Sequence, residues 1–423
     1  MMIFALVDCN NFYCSVERVF NPKLRKRPVV VLSNNDGCVV ARSEEAKTLG
    51  IPMGAPAFLW EQTFKNNNVA VLSSNYSLYG DMSQRVMSIL SQFTPDIQFY
   101  SIDEAFLNLS GFSNLNLTEY AKEIKSTVYR WTGIPISIGI GPTKTLSKIA
   151  NKLAKKNPMC SGVFDITNHP RTDDFLASVN VEDIWGVGRQ YAKLLNRNGV
   201  FTALDLKNAP ENWVKKYMTI VGHRTQLELR GISCIELDDL NEPKKQIIRS
   251  RGFGRPVTSL NELRESISTH TTRATEKLRE QRSVAFHISV FIETNRFKTD
   301  EPYYGNLAGC SLPEPSAYTP LLIKYALQCL DRIFREGYKY SRAGVMVTDI
   351  VPEDQIQLNL YEHPRDVERD KSLMRAVDRL NDKWGSNTIR YGSSGIEQEW
   401  RMRRAKLSPR YTTNWDEILV VKS

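Results

Sequence analysis

A chain of 423 residues, 41% of them apolar, is long enough for two to four globular domains. It has no run of about 18 apolar residues to make a transmembrane helix, and its N-terminus, MMIFALVDCNN, lacks the basic region of a signal peptide. Seven scattered cysteines without a CxxC pair argue against a disulfide framework and a zinc site, so a cytoplasmic protein is expected, and a net charge of +9 favours a polyanionic partner.

In chain order, Ile3 to Val7 reads as a short apolar strand that delivers Asp8, with Phe12, Val16 and Val19 following at helical spacing. Two buried-strand candidates, 29–32 and 38–41, flank Asn34-Asn35-Asp36-Gly37, a hairpin turn signal. A short helix with Glu44, Glu45 and Lys47 then stops near Gly50. This insertion suits a lid over a nucleotide or, equally, a small surface subdomain. An amphipathic helix is expected over 75–93. Next comes YSIDEAFLNL, which sets Asp103 beside Glu104 at the end of an apolar run.

Isolated Asp-Glu pairs are more often solvated turns. Here Tyr100, Ile102, Ala105, Phe106 and Leu107 surround the pair, and carboxylates desolvated in this way need a cation. Three carboxylates converging from two strand ends suit a pair of Mg²⁺ ions, which take oxygen ligands and clamp an in-line phosphoryl displacement. Consecutive strand residues face opposite ways, so Asp103 and Glu104 share a site only at a strand end, bend or hairpin.

A second helix ends at Gly133, and PISIGIGPTK reads as a strand turning into a lysine-bearing helix. It has neither the third Gly of a dinucleotide fingerprint nor the GK[ST] of a P-loop. Lys144, Lys148, Lys152, Lys155 and Lys156 read as a solvated face, with Lys155 near enough to the helix end to reach a triphosphate. Gly186-Val187-Gly188, between a short apolar helix and another carrying Tyr191, Leu194 and Leu195, has the shape of a helix-hairpin-helix or of a plain packing unit. A polar linker, 238–247, precedes strand 247–253, helix 260–281, strand 285–293, a strand near 309–312, helix 320–336 and strand 343–350. That is a split βαβ order. Lys245, Arg249, Arg251, Arg255 and Arg296 form either a phosphate-tracking face or a solvated one. Gln357, Leu358, Leu360 and Tyr361 read as an extended ligand for a partner's pocket or as an edge strand, in a final stretch that is less compact in pattern.

Taken together and in order, VDCNNFY, VVVLSNNDGCVVARSEEAKTLGIPMG, SSNYSLYGDMSQRVMSIL, YSIDEAFLNLSG, GIGPTKTLSKIANKLAKK, DIWGVGR, EPYYGN, QLNLY and LSPRYTT resemble the Y-family DNA polymerases over essentially the full length. The closest likeness is to the UmuC-type catalytic subunit of bacterial DNA polymerase V. The resemblance implies an α+β right-hand polymerase: a ferredoxin-like palm (1–22 and 75–168), small fingers (23–74) and a helical thumb with the helix-hairpin-helix (169–240). A split βαβ little finger (241–350) and a tail for clamp and partners (351–423) complete it.

The resemblance also implies chemistry. Asp8, Asp103 and Glu104, with the Cys9 carbonyl, would bind two Mg²⁺ (or Mn²⁺). Tyr13 would be a steric gate beside Phe12, excluding a 2′-OH. Lys155 would meet the triphosphate. On the fingers, Ala41, Glu44 and Lys47 replace the family's usual Thr, Tyr and Arg, leaving Lys47 and Arg42 to supply charge. Gly186, Gly188, Arg249, Arg251 and Arg255 would contact DNA, and Gln357, Leu358, Leu360 and Tyr361 a sliding clamp. The implied activity is error-prone translesion synthesis without proofreading, in the SOS response, on primer–template DNA and dNTP. A dimeric, processed UmuD-type protein, RecA and the clamp would be partners, with no membrane, in a nucleoid-associated setting. A non-catalytic DNA- and clamp-binding scaffold is the alternative. A metal-dependent nuclease would also use three acids, but would need neither a gate nor a triphosphate lysine.

Overall fold

The computed structural model describes residues 2–112, 114–237, 243–355, 367–418 and 420. They form two compact units, Met1–Ser33 with Gly37–Leu240 and Lys406–Ser423, and Asn34–Asp36 with Asn241–Ala405.

The first unit is organised around strand β1 (Phe4–Cys9), whose apolar residues are buried. Helix α1 (Phe12–Phe20) follows, then β2 (Val29–Leu32), β3 (Val39–Arg42), α2 (Glu44–Thr48), α3 (Glu61–Asn66), β4 (Ala70–Ser73) and α4 (Tyr76–Leu90). Beyond these come β5 (Ile97–Phe99), β6 (Glu104–Asn108), α5 (Leu117–Thr132), β7 (Ile136–Gly141), α6 (Lys144–Lys156) and β8 (Val163–Asp165). Short helices α7 (Thr172–Ala177), α8 (Arg189–Arg197), α9 (Ala203–Asn208) and the longer α10 (Glu211–Leu229) complete it. Among the described residues, one sheet has the order β5-β6-β1-β7-β8 and a smaller one β3-β2-β4. The expected hairpin is present, since β2 and β3 pair antiparallel.

Strand alternation decides what each face of the larger sheet carries. Ala5, Val7 and Cys9 of β1 and Ala105 and Leu107 of β6 share a core with Val86 and Leu90 of α4 and Ala121, Ile124 and Val128 of α5. Asp8, Glu104 and Phe106 therefore point to the other face, where α6 packs. That helix lies unusually close. A Cβ on Gly139 would come within 2.0 Å of the Asn151 amide nitrogen, so only glycine fits there. The buried Asn151 then fastens helix to sheet, its Nδ2 donating to the Leu6 (3.2 Å) and Ser137 (2.8 Å) carbonyls.

The second unit contains β9 (Ile247–Val257), α11 (Leu260–Glu280), β10 (Ser283–Thr294), β11 (Gly305–Ser316), α12 (Thr319–Ile333), β12 (Tyr340–Pro352) and α13 (Val367–Trp384). Its antiparallel sheet runs β11-β10-β12-β9, the split βαβ order expected from sequence. Strand β11 is longer than the expected 309–312. Helix α13, not anticipated, is tied to α11 by a bidentate ion pair, Arg279 to Asp378 at 2.6 and 2.7 Å. No described helix is long and apolar enough to cross a membrane.

Inside this unit His270 of α11 is buried beside the Trp400 ring, and its Nε2 has no hydrogen-bond partner among the described residues. Burial, helped by Arg251 and Arg249 of β9, pushes its pKa down from 6.5 to about 4. Between those values the unfolded chain holds a proton that the native chain does not, so stability falls as pH drops through that window. Calorimetry should show the second unit's transition losing up to about 3 kcal/mol between pH 7 and 4, with a flatter profile for His270→Leu. Parallel profiles for the two proteins would contradict the assignment.

Candidate active site

Asp8 and Glu104 are directly opposed in the β1–β6 register, so both carboxylates stand on the α6 face. Asp103 precedes β6 in the bend that links it to β5, the one arrangement that lets neighbouring acids turn towards the same place. The bend is stitched by Ser101, a residue the sequence did not single out. Its Oγ accepts the Asp103 (3.2 Å) and Glu104 (3.0 Å) amides and donates to Asp103 Oδ1 at 2.6 Å. The Cys9 amide donates to the Asp103 carbonyl at 2.9 Å, joining β1 to the bend.

Helix α6 supplies the counter-charges. Lys155 Nζ lies 2.7 Å from Asp8 Oδ2, and Lys148 Nζ lies 3.0 and 3.2 Å from the Glu104 oxygens. Lys148 also sits 4.4 Å from the Tyr100 ring centroid and 5.5 Å from that of Trp185. Lys144 is buried and donates to Gln98 Oε1 (2.6 Å) and the Glu236 carbonyl (2.5 Å), while Lys152 pairs with Asp183. The solvated lysine face expected from sequence is thus corrected for Lys144, Lys148 and Lys152. Packing α6 on the sheet sets Lys148 on the acidic end of β6 and buries Lys144, while Lys152 reaches the 3-10 turn at 181–183.

Burial pushes the Asp8 carboxyl up from 3.8 to about 6, Lys155 pulls it back, and Glu104 and Asp103 push it further up. Burial likewise raises the Cys9 thiol, which faces the core, so the atoms Cys9 can offer a cation are those of its main chain. Among the described residues, no group of three or more His, Cys, Asp or Glu is gathered closely enough to hold a metal ion. Two carboxylates are held by lysines instead. The donors present are nonetheless oxygen-only and anionic, the set that suits Mg²⁺ or Mn²⁺. Burial and two neighbouring acids work against the charged form of Asp8, so positive charge beside it favours the site.

Beside it, the Tyr13 ring stacks on Tyr79 (centroids 4.3 Å apart, planes at 17°) and packs at 5.9 Å from Phe12. Tyr79 was not singled out from sequence.

The impB/mucB/samB family model matches residues 7–152, the C-terminal domain of that family matches 244–360, and a domain of unknown function (DUF4113) matches 371–421. Protein UmuC of Salmonella typhimurium is 44% identical over 422 residues, covering 99% of this chain and all of that one. Protein SamB of Salmonella typhimurium is 44% identical over 423 residues, covering the same shares. The chain belongs to the impB/mucB/samB family. A solved Y-family DNA polymerase chimera of Dbh and Dpo4 superposes with a TM-score of 0.66 at 23% identity, covering 83% of this chain and all of its own. The fold is therefore the α+β fold of the Y-family DNA polymerases, and the member is of the UmuC type.

The other residues that this family resemblance pointed to are distributed unevenly. On α2, Lys47 Nζ is 2.7 Å from Glu44 Oε1, which also accepts from Asn11 Nδ2 at 3.0 Å. Arg42 donates through Nη1 to the Ile51 carbonyl at 2.5 Å, while its buried Nε has no partner among the described residues. Ala41 is buried. Gly186 has φ of 91° and packs against Thr225, whereas the space a Cβ would take on Gly188, the N-cap of α8, is open. The element before this turn is a single 3-10 turn, Val181–Asp183, not the expected apolar helix. On β9, Arg255 is committed to Glu262 (2.6 Å) and Glu399 (2.9 Å). Arg249 is half-buried with an unpartnered Nε, and the charges nearest it include Glu280, Arg273 and Glu276 of α11. The three arginines therefore do not present one open face, because β9 turns Arg249 towards its helix. Gln357, Leu358, Leu360 and Tyr361 lie outside the described residues.

With metal withheld, carboxylate NMR should find a group titrating near pH 6 in the wild-type chain and missing from Asp8→Asn. In Lys155→Met the midpoint should rise, because the ammonium that pulls it down is gone. An unmoved midpoint would contradict the Asp8–Lys155 pairing.

Proposed function

We propose that this chain is the catalytic subunit of an error-prone translesion DNA polymerase, adding dNTP to a primer 3′-OH opposite damaged templates during the SOS response, without proofreading. The observation that carries the proposal is the opposition of Asp8 and Glu104 on one sheet face, with Asp103 in the adjoining bend. Asp8, Asp103, Glu104 and the Cys9 carbonyl are the groups that would hold two Mg²⁺ (or Mn²⁺). When bound, such ions neutralise phosphate charge and lower the pKa of an attacking hydroxyl.

The chain's own residues do the rest. Lys155, now on Asp8, is placed to exchange that carboxylate for the triphosphate of an incoming nucleotide. Lys148 holds Glu104 in place while its ammonium group lies over the Tyr100 and Trp185 rings. Tyr13, kept upright by Tyr79, excludes a 2′-OH by occupying its volume. In domain terms, 1–22 and 75–168 act as palm, 23–74 as fingers, 169–240 as thumb, 241–350 as little finger and 351–423 as tail. The open Gly188 helix start and the exposed Arg251 suit duplex phosphate. Primer–template DNA and dNTP are the substrates. A processed UmuD-type dimer, RecA and, through Gln357, Leu358, Leu360 and Tyr361, the sliding clamp are the proposed partners on nucleoid DNA.

The test is primer extension opposite an abasic site with Mg²⁺ and those partners present. The wild-type chain should extend, and Tyr13→Ala should extend while incorporating ribonucleotides about a hundredfold more readily, the scale on which removing a steric clash of a few kcal/mol is felt. No extension by a chain that still binds DNA and clamp would favour the scaffold, and unchanged sugar selectivity would remove Tyr13 from the gate.

A further inference from the structure

The C-terminal segment that contains LSPRYTT belongs to the first unit, and it reaches the aromatic stack behind Tyr13. Lys406 pairs with Ser73 at the end of β4, its carbonyl accepting the Ser73 amide (2.9 Å) and its amide donating to Ser73 Oγ (3.0 Å). Asn75 Nδ2 then donates to the carbonyls of Ser408 (3.0 Å) and Pro409 (3.2 Å) and to Ser408 Oγ (3.0 Å). Two residues further on, the Tyr411 ring stacks on Phe20 at the end of α1, with centroids 4.9 Å apart and planes at 7°.

Because Asn75 fills the acceptor side of the Ser408 hydroxyl, its proton is free to point elsewhere, and it donates to Glu17 Oε1 at 2.9 Å. The same carboxylate oxygen accepts the Tyr79 hydroxyl at 2.7 Å. Glu17 is 1% exposed, and both of these partners are hydroxyls. Burial raises its pKa while the two hydroxyls pull it back. A carboxylate sunk in a core and held by two O–H groups has a use only if its position matters. What it positions is Tyr79, the ring on which Tyr13 stacks.

We propose that Ser408 is a positioning residue for sugar selection. Through Glu17 and Tyr79, the C-terminal segment fixes the Tyr13 ring at the height where it meets a 2′-OH. This inference rests on the reading of Tyr13 as the gate. It assigns a task to part of the region matched by the domain of unknown function. Without the Ser408 hydroxyl, Glu17 regains freedom to turn, the Tyr79 hydroxyl loses its fixed acceptor, and the stack under the sugar loosens.

The experiment compares wild type, Ser408→Ala, Ser408→Thr and Tyr13→Ala in the full chain with its partners, measuring kcat and KM for dNTP and for the matching ribonucleotide. Ser408→Ala should leave dNTP kinetics unchanged and raise ribonucleotide kcat/KM about fivefold, less than a whole charge-assisted hydrogen bond because Tyr79 still has Glu17. Ser408→Thr, which keeps the hydroxyl, should restore wild-type selectivity. NMR of ¹³C-tyrosine chains should show the Tyr79 and Tyr13 ring signals moving in Ser408→Ala and returning in Ser408→Thr. Raised ribonucleotide use in Tyr13→Ala but not in Ser408→Ala would overturn the brace and leave the gate standing. Unchanged selectivity in both would overturn the gate and the brace with it. A uniform loss for both sugars, not rescued by threonine, would show a merely structural role and overturn the proposal.

Discussion

The Asp8 carboxylate, buried and directly opposite Glu104 on one sheet face, is the constraint on which the first unit is built. Like charges in a desolvated place repel and are costly to ionise. The chain tolerates them because α6 lays lysines along the same sheet face. Lys155 on Asp8 and Lys148 on Glu104 act as point charges rather than as the bidentate fork of an arginine.

That balance requires α6 to sit very near the strands, and the sequence secures this by subtraction. Gly139 leaves no Cβ between β7 and the helix, and Asn151 spends its amide on two strand carbonyls. One turn of helix later, the same face presents Lys155. Folding energy and chemical layout are here the same contacts: the core made by Ala5, Val7, Ala105 and Leu107 fixes the strand register, and the register fixes which acids oppose which.

Much of this was legible in the residues. An apolar strand ending in Asp8, a second run bounded by Asp103 and Glu104, and the hydrophobic periods of α4, α5 and α6 are local signals. The split βαβ order of the second unit likewise follows from its alternating and helical patterns, although its second helix begins at Thr319, behind a Tyr318 N-cap, one residue before the expected start. What the sequence hid depends on partners far away in the chain. Lys144, Lys148 and Lys152 look like a solvated stripe until Gln98 and Glu236, Glu104 and Trp185, and Asp183 are seen beside them in turn. Glu17 looks like a surface acid at a helical position, since nothing nearby in sequence discloses that Tyr79 and Ser408 converge on it. Arg255 reads as a phosphate ligand only until Glu262 and Glu399 are seen beside it. Helix α13 has an ordinary share of apolar residues, but only Met374 and Asn381 of it are buried, and the Arg279–Asp378 ion pair ties it to α11.

The central claim is that Asp8, Asp103 and Glu104 are a divalent-cation site temporarily neutralised by lysines. Electron paramagnetic resonance with Mn²⁺, primer–template DNA and dNTP measures this most directly. The wild-type chain should bind two Mn²⁺ ions, and Asp103→Ala should lose at least one of them while keeping its fold by circular dichroism. Equal Mn²⁺ binding by the two proteins would contradict the claim and leave Asp8 and Glu104 as lysine-paired structural charges, with Asp103 held by Ser101.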